Sequence, residues 1–179
     1  MFFGKPPADP KTIAAKIISA IRHPDVKDSS PDWTRVIKKV LREYGQEKGL
    51  SVYPSPAQLG RQFKAWLLDV IWYNETTGTI SLALESEWGG KDDVLDDFGK
   101  LLCIKAPLKV MVYFADQGSV ISSLQESLGV FDHHVAGEQY LVVEFHGNNE
   151  IAFLYDVPTD GKVDVPRFSE LKVERAASA

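Results

Sequence analysis

The chain has 179 residues and a mass of 19.9 kDa, enough for one domain with a substantial core. Hydrophobic residues make up 44% and charged residues 25%, which excludes disorder as the main state. The net charge is −5, yet the first 64 residues carry 12 Lys and Arg against 6 Asp and Glu. The one cysteine excludes an internal disulfide, and neither a signal peptide nor a membrane-spanning run is present, so we expect a cytoplasmic protein.

Two amphipathic helices are predicted in the N-terminal part of the chain. The first covers about residues 10–21 after Asp9, a favourable N-cap, and the second begins at about Pro31 and ends near Glu47. The second helix carries an apolar stripe and, opposite it, a basic face made of Arg35, Lys38, Lys39 and Arg42. This basic face is typical either of phosphate contacts or of an ordinary solvated helix surface.

Three acidic residues lie on two predicted strands that follow the helices. Asp69 interrupts an apolar run over residues 66–73, and the run over residues 79–88 alternates so that Glu85 and Glu87 share one face. If these strands are antiparallel neighbours, Asp69 approaches the two glutamates near one end of the sheet. Buried carboxylates require partners, and Mg²⁺ and Mn²⁺ prefer such oxygen ligands. The pattern favours metal-dependent phosphodiester hydrolysis; the alternative is a structural ion pair at Asp69 and a solvated strand end.

The remaining elements complete a mixed sheet with helices. Residues 50–53 predict a short first strand, and residues 108–114 a continuous apolar strand of the parallel type. Helices are predicted over 91–103 and 119–129, and a terminal hairpin over 140–145 and 151–157. His133 and His134 lack nearby metal-ligand spacing and are expected in a loop.

The order of these elements around the acids resembles the PD-(D/E)XK, or restriction-endonuclease-like, nuclease superfamily. The resemblance implies an αβββαβ core over about residues 31–114, with a C-terminal extension over about 115–172, in a single domain. Asp69 matches the motif aspartate and Glu85 the glutamate of Glu-x-Lys. Two positions depart from the motif: Leu68 stands in place of the proline and Glu87 in place of the lysine.

The resemblance also implies a function and a set of site residues. Asp69, Glu85 and Glu87 would bind Mg²⁺ or Mn²⁺, with Glu87 alternatively acting on the metal-bound water. Lys100 would supply the lysine from the following helix, although a plain exposed lysine is the alternative, and Glu43 would be an accessory acid. The expected activity is cleavage of nucleic acid, and DNA is the expected substrate. The resemblance is also compatible with a homodimer. The alternative function is that of a non-catalytic protein-binding or regulatory module of the same fold, which the missing motif lysine favours.

Overall fold

The computed structural model describes residues 6–26, 29–54, 68–115 and 118–173. Within these ranges the chain forms four helices and seven strands. In chain order they are α1 Pro10–Ile21, α2 Ser30–Glu47, β1 Ser51–Tyr53, β2 Val70–Asn74, β3 Thr79–Glu87, α3 Lys91–Cys103, β4 Leu108–Phe114, α4 Ile121–Val130, β5 Gln139–His146, β6 Asn149–Asp156 and β7 Ser169–Leu171. None of these helices is both long enough and apolar enough to cross a bilayer.

The seven strands form one mixed sheet in which the spatial order follows the chain order, β1 to β7. Strand β4 is parallel to both of its neighbours, β3 and β5, whereas the other four ladders are antiparallel. Parallel neighbours require a crossover, and α3 and α4 provide the two crossovers. The parallel strands therefore have their carboxyl ends at one edge of the sheet.

Helices cover both faces of the sheet, and the sheet separates the hydrophobic core into two clusters. On one face, Ile17 of α1 and Leu41 of α2 belong to the same buried cluster as Leu84 of β3. On the other face, Phe98 of α3 and Leu124 of α4 belong to a second cluster. Burial on both faces explains why β4 and β5 contain nearly continuous apolar runs rather than alternating ones.

Helix α2 approaches the sheet closely where it crosses β1 and β2. The indole Nε1 of Trp72 donates a hydrogen bond to the carbonyl oxygen of Leu41 at 3.0 Å, in the buried core. A Cβ placed on Gly45 would lie only 2.7 Å from Trp72 Nε1 and 2.7 Å from Val52 Cγ2. Glycine at position 45 is therefore what allows the helix to pack at this distance.

Helical periodicity predicts the helices closely, and the α/β class is confirmed. Helices α1 and α3 have the expected bounds, and Asp9 accepts a hydrogen bond from the backbone N–H of Thr12 as the N-cap. The predicted strand over residues 66–73 differs: β2 begins at Val70, directly after Asp69, and residues 66 and 67 lie outside the described residues. Asp69 thus stands at the entry of the strand rather than inside it. The C-terminal hairpin extends the sheet as expected, and β7 is an additional edge strand.

Candidate active site at the carboxyl edge of the parallel strands

Asp69 links strand β3 to helix α2. Its Oδ2 accepts hydrogen bonds from the Ser86 backbone N–H at 3.0 Å and from Ser86 Oγ at 2.6 Å. Its Oδ1 lies 2.7 Å from Nζ of Lys38, which reaches down from α2. Three donors therefore surround this carboxylate and fix its position at the carboxyl end of β3.

Glu85 lies beside Asp69 but points to the opposite face of the sheet, toward α3. Its Oε2 accepts the backbone N–H of Asp69 at 3.1 Å. Its Oε1 is buried and accepts no hydrogen bond within residues 6–26, 29–54, 68–115 and 118–173, although Nζ of Lys100 lies 3.5 Å away. The residue as a whole is only 4% exposed. An unsatisfied carboxylate oxygen in a buried position is costly, and such atoms occur preferentially where a ligand or ion binds.

The surroundings of Glu85 favour its protonated form. The pKa of Glu85 is raised from 4.5 to about 8, chiefly by burial and also by the nearby carboxylates of Asp69 and Asp97, while Lys100 and the backbone N–H of Asp69 oppose the shift. A buried acid among other acids is the arrangement that a divalent cation relieves.

Lys100 reaches this group from α3 because that helix packs along β3. The ammonium group donates a hydrogen bond to Oδ1 of Asp97, one turn earlier in the helix, and this hydrogen bond raises the pKa of Lys100. Its side chain is 36% exposed, so the charged end faces both Glu85 and solvent. The structure thus brings Lys100 to Glu85, as the resemblance implies.

Glu87 performs a different local task from Asp69 and Glu85. Its Oε1 accepts the backbone N–H groups of Trp88 at 2.7 Å and Gly89 at 2.6 Å. These bonds hold the turn between β3 and α3. Among residues 6–26, 29–54, 68–115 and 118–173, no group of three or more His, Cys, Asp or Glu side chains is arranged to hold a metal ion. Asp69 and Glu85 are therefore the two acids that the fold brings together, and Glu87 lies further along the same strand.

No protein-family model matches this sequence, and a search of curated proteins gives no significant match. The interpretation of the site therefore depends on its geometry and on the order of the elements around it.

The basic face of α2 is only partly available to a ligand. Arg35 pairs with Asp32 at 3.0 Å, Lys38 pairs with Asp69, and Arg42 donates to the carbonyl of Pro54 at 3.3 Å. Lys39 is exposed. Together with Pro31 and Thr34, the four basic residues line a cavity of about 450 Å³. Lys38 belongs both to this cavity and to the acidic pair.

Glu43 lies on α2 and is exposed to solvent. No hydrogen bond or ion pair joins it to Asp69 or Glu85 within the part of the chain that the structure describes. Its role as an accessory acid stays a prediction.

Sequence reasoning missed two residues that support the acidic pair. Ser86 binds Asp69 through both its backbone and its hydroxyl group, and Thr34 Oγ1 lies 3.4 Å from Ser86 Oγ. A signal was present: Thr34, Lys38 and Arg42 recur every four residues, so they form one row along α2 that starts beside the apolar stripe at Thr34.

A second ionisable cluster is buried beneath α3 and α4 and is satisfied internally. Nζ of Lys109 lies 3.0 Å from Glu138 Oε1 and 2.9 Å from the Tyr140 hydroxyl. His134 bonds the carbonyl oxygen of Leu128 at 2.9 Å, while its Nδ1 lies 3.3 Å from the Tyr140 hydroxyl. His134 lies in a loop, as expected from the sequence, and this network ties the loop to the sheet. Because the ionisable groups of the network are paired and buried, we interpret the network as structural.

Proposed function

We propose that the protein is a metal-dependent nuclease that hydrolyses phosphodiester bonds in DNA. The observation that carries this proposal is the buried Oε1 of Glu85, which accepts no hydrogen bond from any residue that the structure describes and lies 3.5 Å from Nζ of Lys100, next to Asp69. The order of α2, β1, β2, β3, α3 and β4 supports it, because this is the order that the PD-(D/E)XK resemblance implies around the same two acids.

Two carboxylates at this sheet edge are of the type that a hard divalent cation takes as ligands, Asp69 from the α2 side and Glu85 from the α3 side. Mg²⁺ is commonly bound by one or two carboxylates, with water and substrate phosphate completing its coordination, and Asp69 and Glu85 provide two. The Lys38 ammonium group now lies against Asp69 Oδ1, so a cation bound there would take over its charge-neutralising role. When bound, Mg²⁺ or Mn²⁺ polarises a phosphoryl oxygen and lowers the pKa of a coordinated water.

The chain's own residues then have distinct roles. Lys100 holds a positive charge beside Glu85, where it stabilises negative charge that develops on the phosphoryl group. Asp97 orients Lys100 through their hydrogen bond. Of the two carboxylate oxygens of Glu87, Oε1 accepts the hydrogen bonds from the described residues. We therefore assign Oε2 to the cation or to its water. Lys39, on the exposed side of the basic cavity, contacts the phosphate backbone.

Cleavage assays with matched variants test this function. Labelled single-stranded and double-stranded DNA is incubated with the parent protein and Mg²⁺ or Mn²⁺, and with the variants Asp69→Asn and Glu85→Gln. We expect metal-dependent cleavage by the parent and loss of cleavage in both variants. Glu126→Gln removes an exposed acid on α4 and serves as the control that should retain activity.

Thermal unfolding with metal gives a second readout that needs no substrate. A metal held at a hundred times its dissociation constant should stabilise the parent by about 2.7 kcal/mol and both site variants by much less. A parent that neither cleaves DNA nor gains stability with either metal would refute the nuclease assignment.

The ion pairs of the site favour a second function. Nζ of Lys38 lies 2.7 Å from Asp69 and Nζ of Lys100 lies 3.5 Å from Glu85, so each acid has a cationic neighbour without any metal. The same fold would then act as a non-catalytic binding module, in which these pairs are structural. In that case Asp69→Asn should destabilise the protein, and metal should leave the stability of the parent unchanged.

A further inference from the structure

Beside the acidic pair, on the α1 and α2 face of the sheet, lies a cavity of about 600 Å³ with aromatic walls. We call it the aromatic cleft. Trp33 comes from α2, Trp88 follows β3, and Phe114 and Phe145 lie at the ends of β4 and β5. Its volume falls within the range of cavities that bind small organic ligands.

The rings of the cleft form a connected surface. The Trp33 and Trp88 centroids are 4.9 Å apart, Trp33 stacks on Phe114 at 5.8 Å, and Trp88 lies 6.4 Å from Phe145. Trp33, Trp88 and Phe114 are only partly buried, so parts of their rings face the cleft. Partly exposed aromatic rings around one concave surface are the type of platform on which nucleobases stack.

The rim of the cleft is polar, and its cation is Arg22, whose Nε lies 3.5 Å from Glu150 Oε2. The Arg22 guanidinium lies 5.4 Å from the centre of the Phe145 ring, and its NH2 group donates to the carbonyl of Gly147 at 2.8 Å. The side chain of Arg22 remains 36% exposed. The exposed Asn148 amide on the β5–β6 turn offers both a donor and an acceptor. An electron-rich aromatic ligand attached to a phosphate complements this rim.

A short chain of contacts joins the cleft to the acidic pair. Trp88 Nε1 donates to Thr34 Oγ1 at 2.7 Å, and Thr34 Oγ1 lies 3.4 Å from Ser86 Oγ. Ser86 Oγ in turn donates to Asp69 at 2.6 Å. The cleft and the Asp69 carboxylate both lie on the α2 side of the carboxyl edge of the parallel strands. A nucleotide whose phosphate lies at the acidic pair could therefore place a neighbouring base in the cleft.

We propose that the aromatic cleft binds an unpaired nucleobase, so that the substrate is a single-stranded DNA segment next to the scissile phosphodiester. This inference rests on the proposed function and specifies its substrate. A base inside a duplex is stacked on both faces, and its ring faces are not available to Trp33 or Phe114. The cleft therefore selects a single strand, an overhang or an extruded base.

Binding measured without catalysis tests the cleft. Fluorescence anisotropy in EDTA, at about 50 mM salt, compares a labelled single strand of about a dozen nucleotides with the matching blunt duplex. The parent should bind the single strand more tightly. Trp33→Leu and Phe114→Leu each keep an apolar side chain but remove a stacking surface, and each should weaken single-strand binding roughly five- to 150-fold, with duplex binding unchanged.

Tyr44→Leu is the matched control. Tyr44 packs against the same core cluster but contacts Trp72 rather than the cleft, so its variant should bind as the parent does. Melting curves of all three variants show whether each is folded. Equal single-strand affinity in parent, Trp33→Leu and Phe114→Leu would overturn the proposal, as would equal losses for single strand and duplex.

The two proposals fail in different ways. If the parent stacks the single strand through Trp33 yet leaves every phosphodiester intact with Mg²⁺ and Mn²⁺, the nuclease function is wrong and the cleft assignment stands. If the parent cleaves DNA but the cleft variants bind single strands as the parent does, the cleft assignment is wrong and the function stands.

Discussion

Replacing Glu85 with glutamine should change how stability depends on pH. The pKa of Glu85 rises from 4.5 to about 8 in the folded protein, chiefly through burial. Between these values the folded state holds a proton that the unfolded state has released, so this group makes stability fall as pH rises. Glutamine resembles the protonated acid and cannot titrate, so the Glu85→Gln variant should lack this contribution.

The size of the pH effect follows from the pKa shift of Glu85. A difference of one bound proton between the folded and unfolded states changes the free energy of unfolding by about 1.4 kcal/mol per pH unit. Between the two pKa values this adds up to about 5 kcal/mol as an upper limit. Between about pH 5.5 and 7.5, the free energy of unfolding of Glu85→Gln should therefore gain roughly 2 to 3 kcal/mol relative to the parent. Under the proposed function, Mn²⁺ competes with the proton at Glu85, so metal should flatten the pH dependence of the parent.

Urea unfolding at several pH values, in EDTA and again with Mn²⁺, measures this difference. The Glu126→Gln variant removes an exposed acid, and its stability should run parallel to that of the parent across the same range. Parallel curves for the parent and Glu85→Gln would show that Glu85 titrates normally, and the argument from its burial would be wrong.

Three further predictions concern the site and the fold. Lys100→Ala should lower DNA cleavage by roughly two orders of magnitude in initial-rate assays while leaving metal affinity by calorimetry nearly unchanged; an unaltered rate would remove Lys100 from the mechanism. Lys39→Gln should weaken DNA binding and reduce the slope of log affinity against log salt by about 0.9, and an unchanged slope would make this side chain ordinary surface. Gly45→Ala should lower the free energy of unfolding by about 1–3 kcal/mol, because its Cβ would lie 2.7 Å from Trp72 Nε1. Gly99→Ala should raise it by up to about 1 kcal/mol, because its Cβ would meet open space in α3. Denaturant unfolding of both variants checks this contrast.

The sequence by itself determined the elements and the side on which their residues lie. Helical spacing and end signals gave α1 and α3 their bounds, because capping residues and apolar periodicity are local properties. Alternation along β3 placed Glu85 on one face and Ser86 on the other, and the structure has Glu85 toward α3 and Ser86 toward α2. Lys100 lies 3.5 Å from Glu85, whereas periodicity alone leaves it an exposed helix residue, and its catalytic role stays a prediction.

Only the tertiary structure decided which side chains meet. Periodicity fixes the face of a residue but not the height at which one element crosses another, so the pairing of Lys38 with Asp69 could not be derived from the basic face of α2. For the same reason Glu87 shares a face with Glu85 yet bonds the following turn. The aromatic cleft is the clearest case: its four rings come from α2 and from the ends of three strands, and the sequence shows only separate apolar residues until the sheet brings them together.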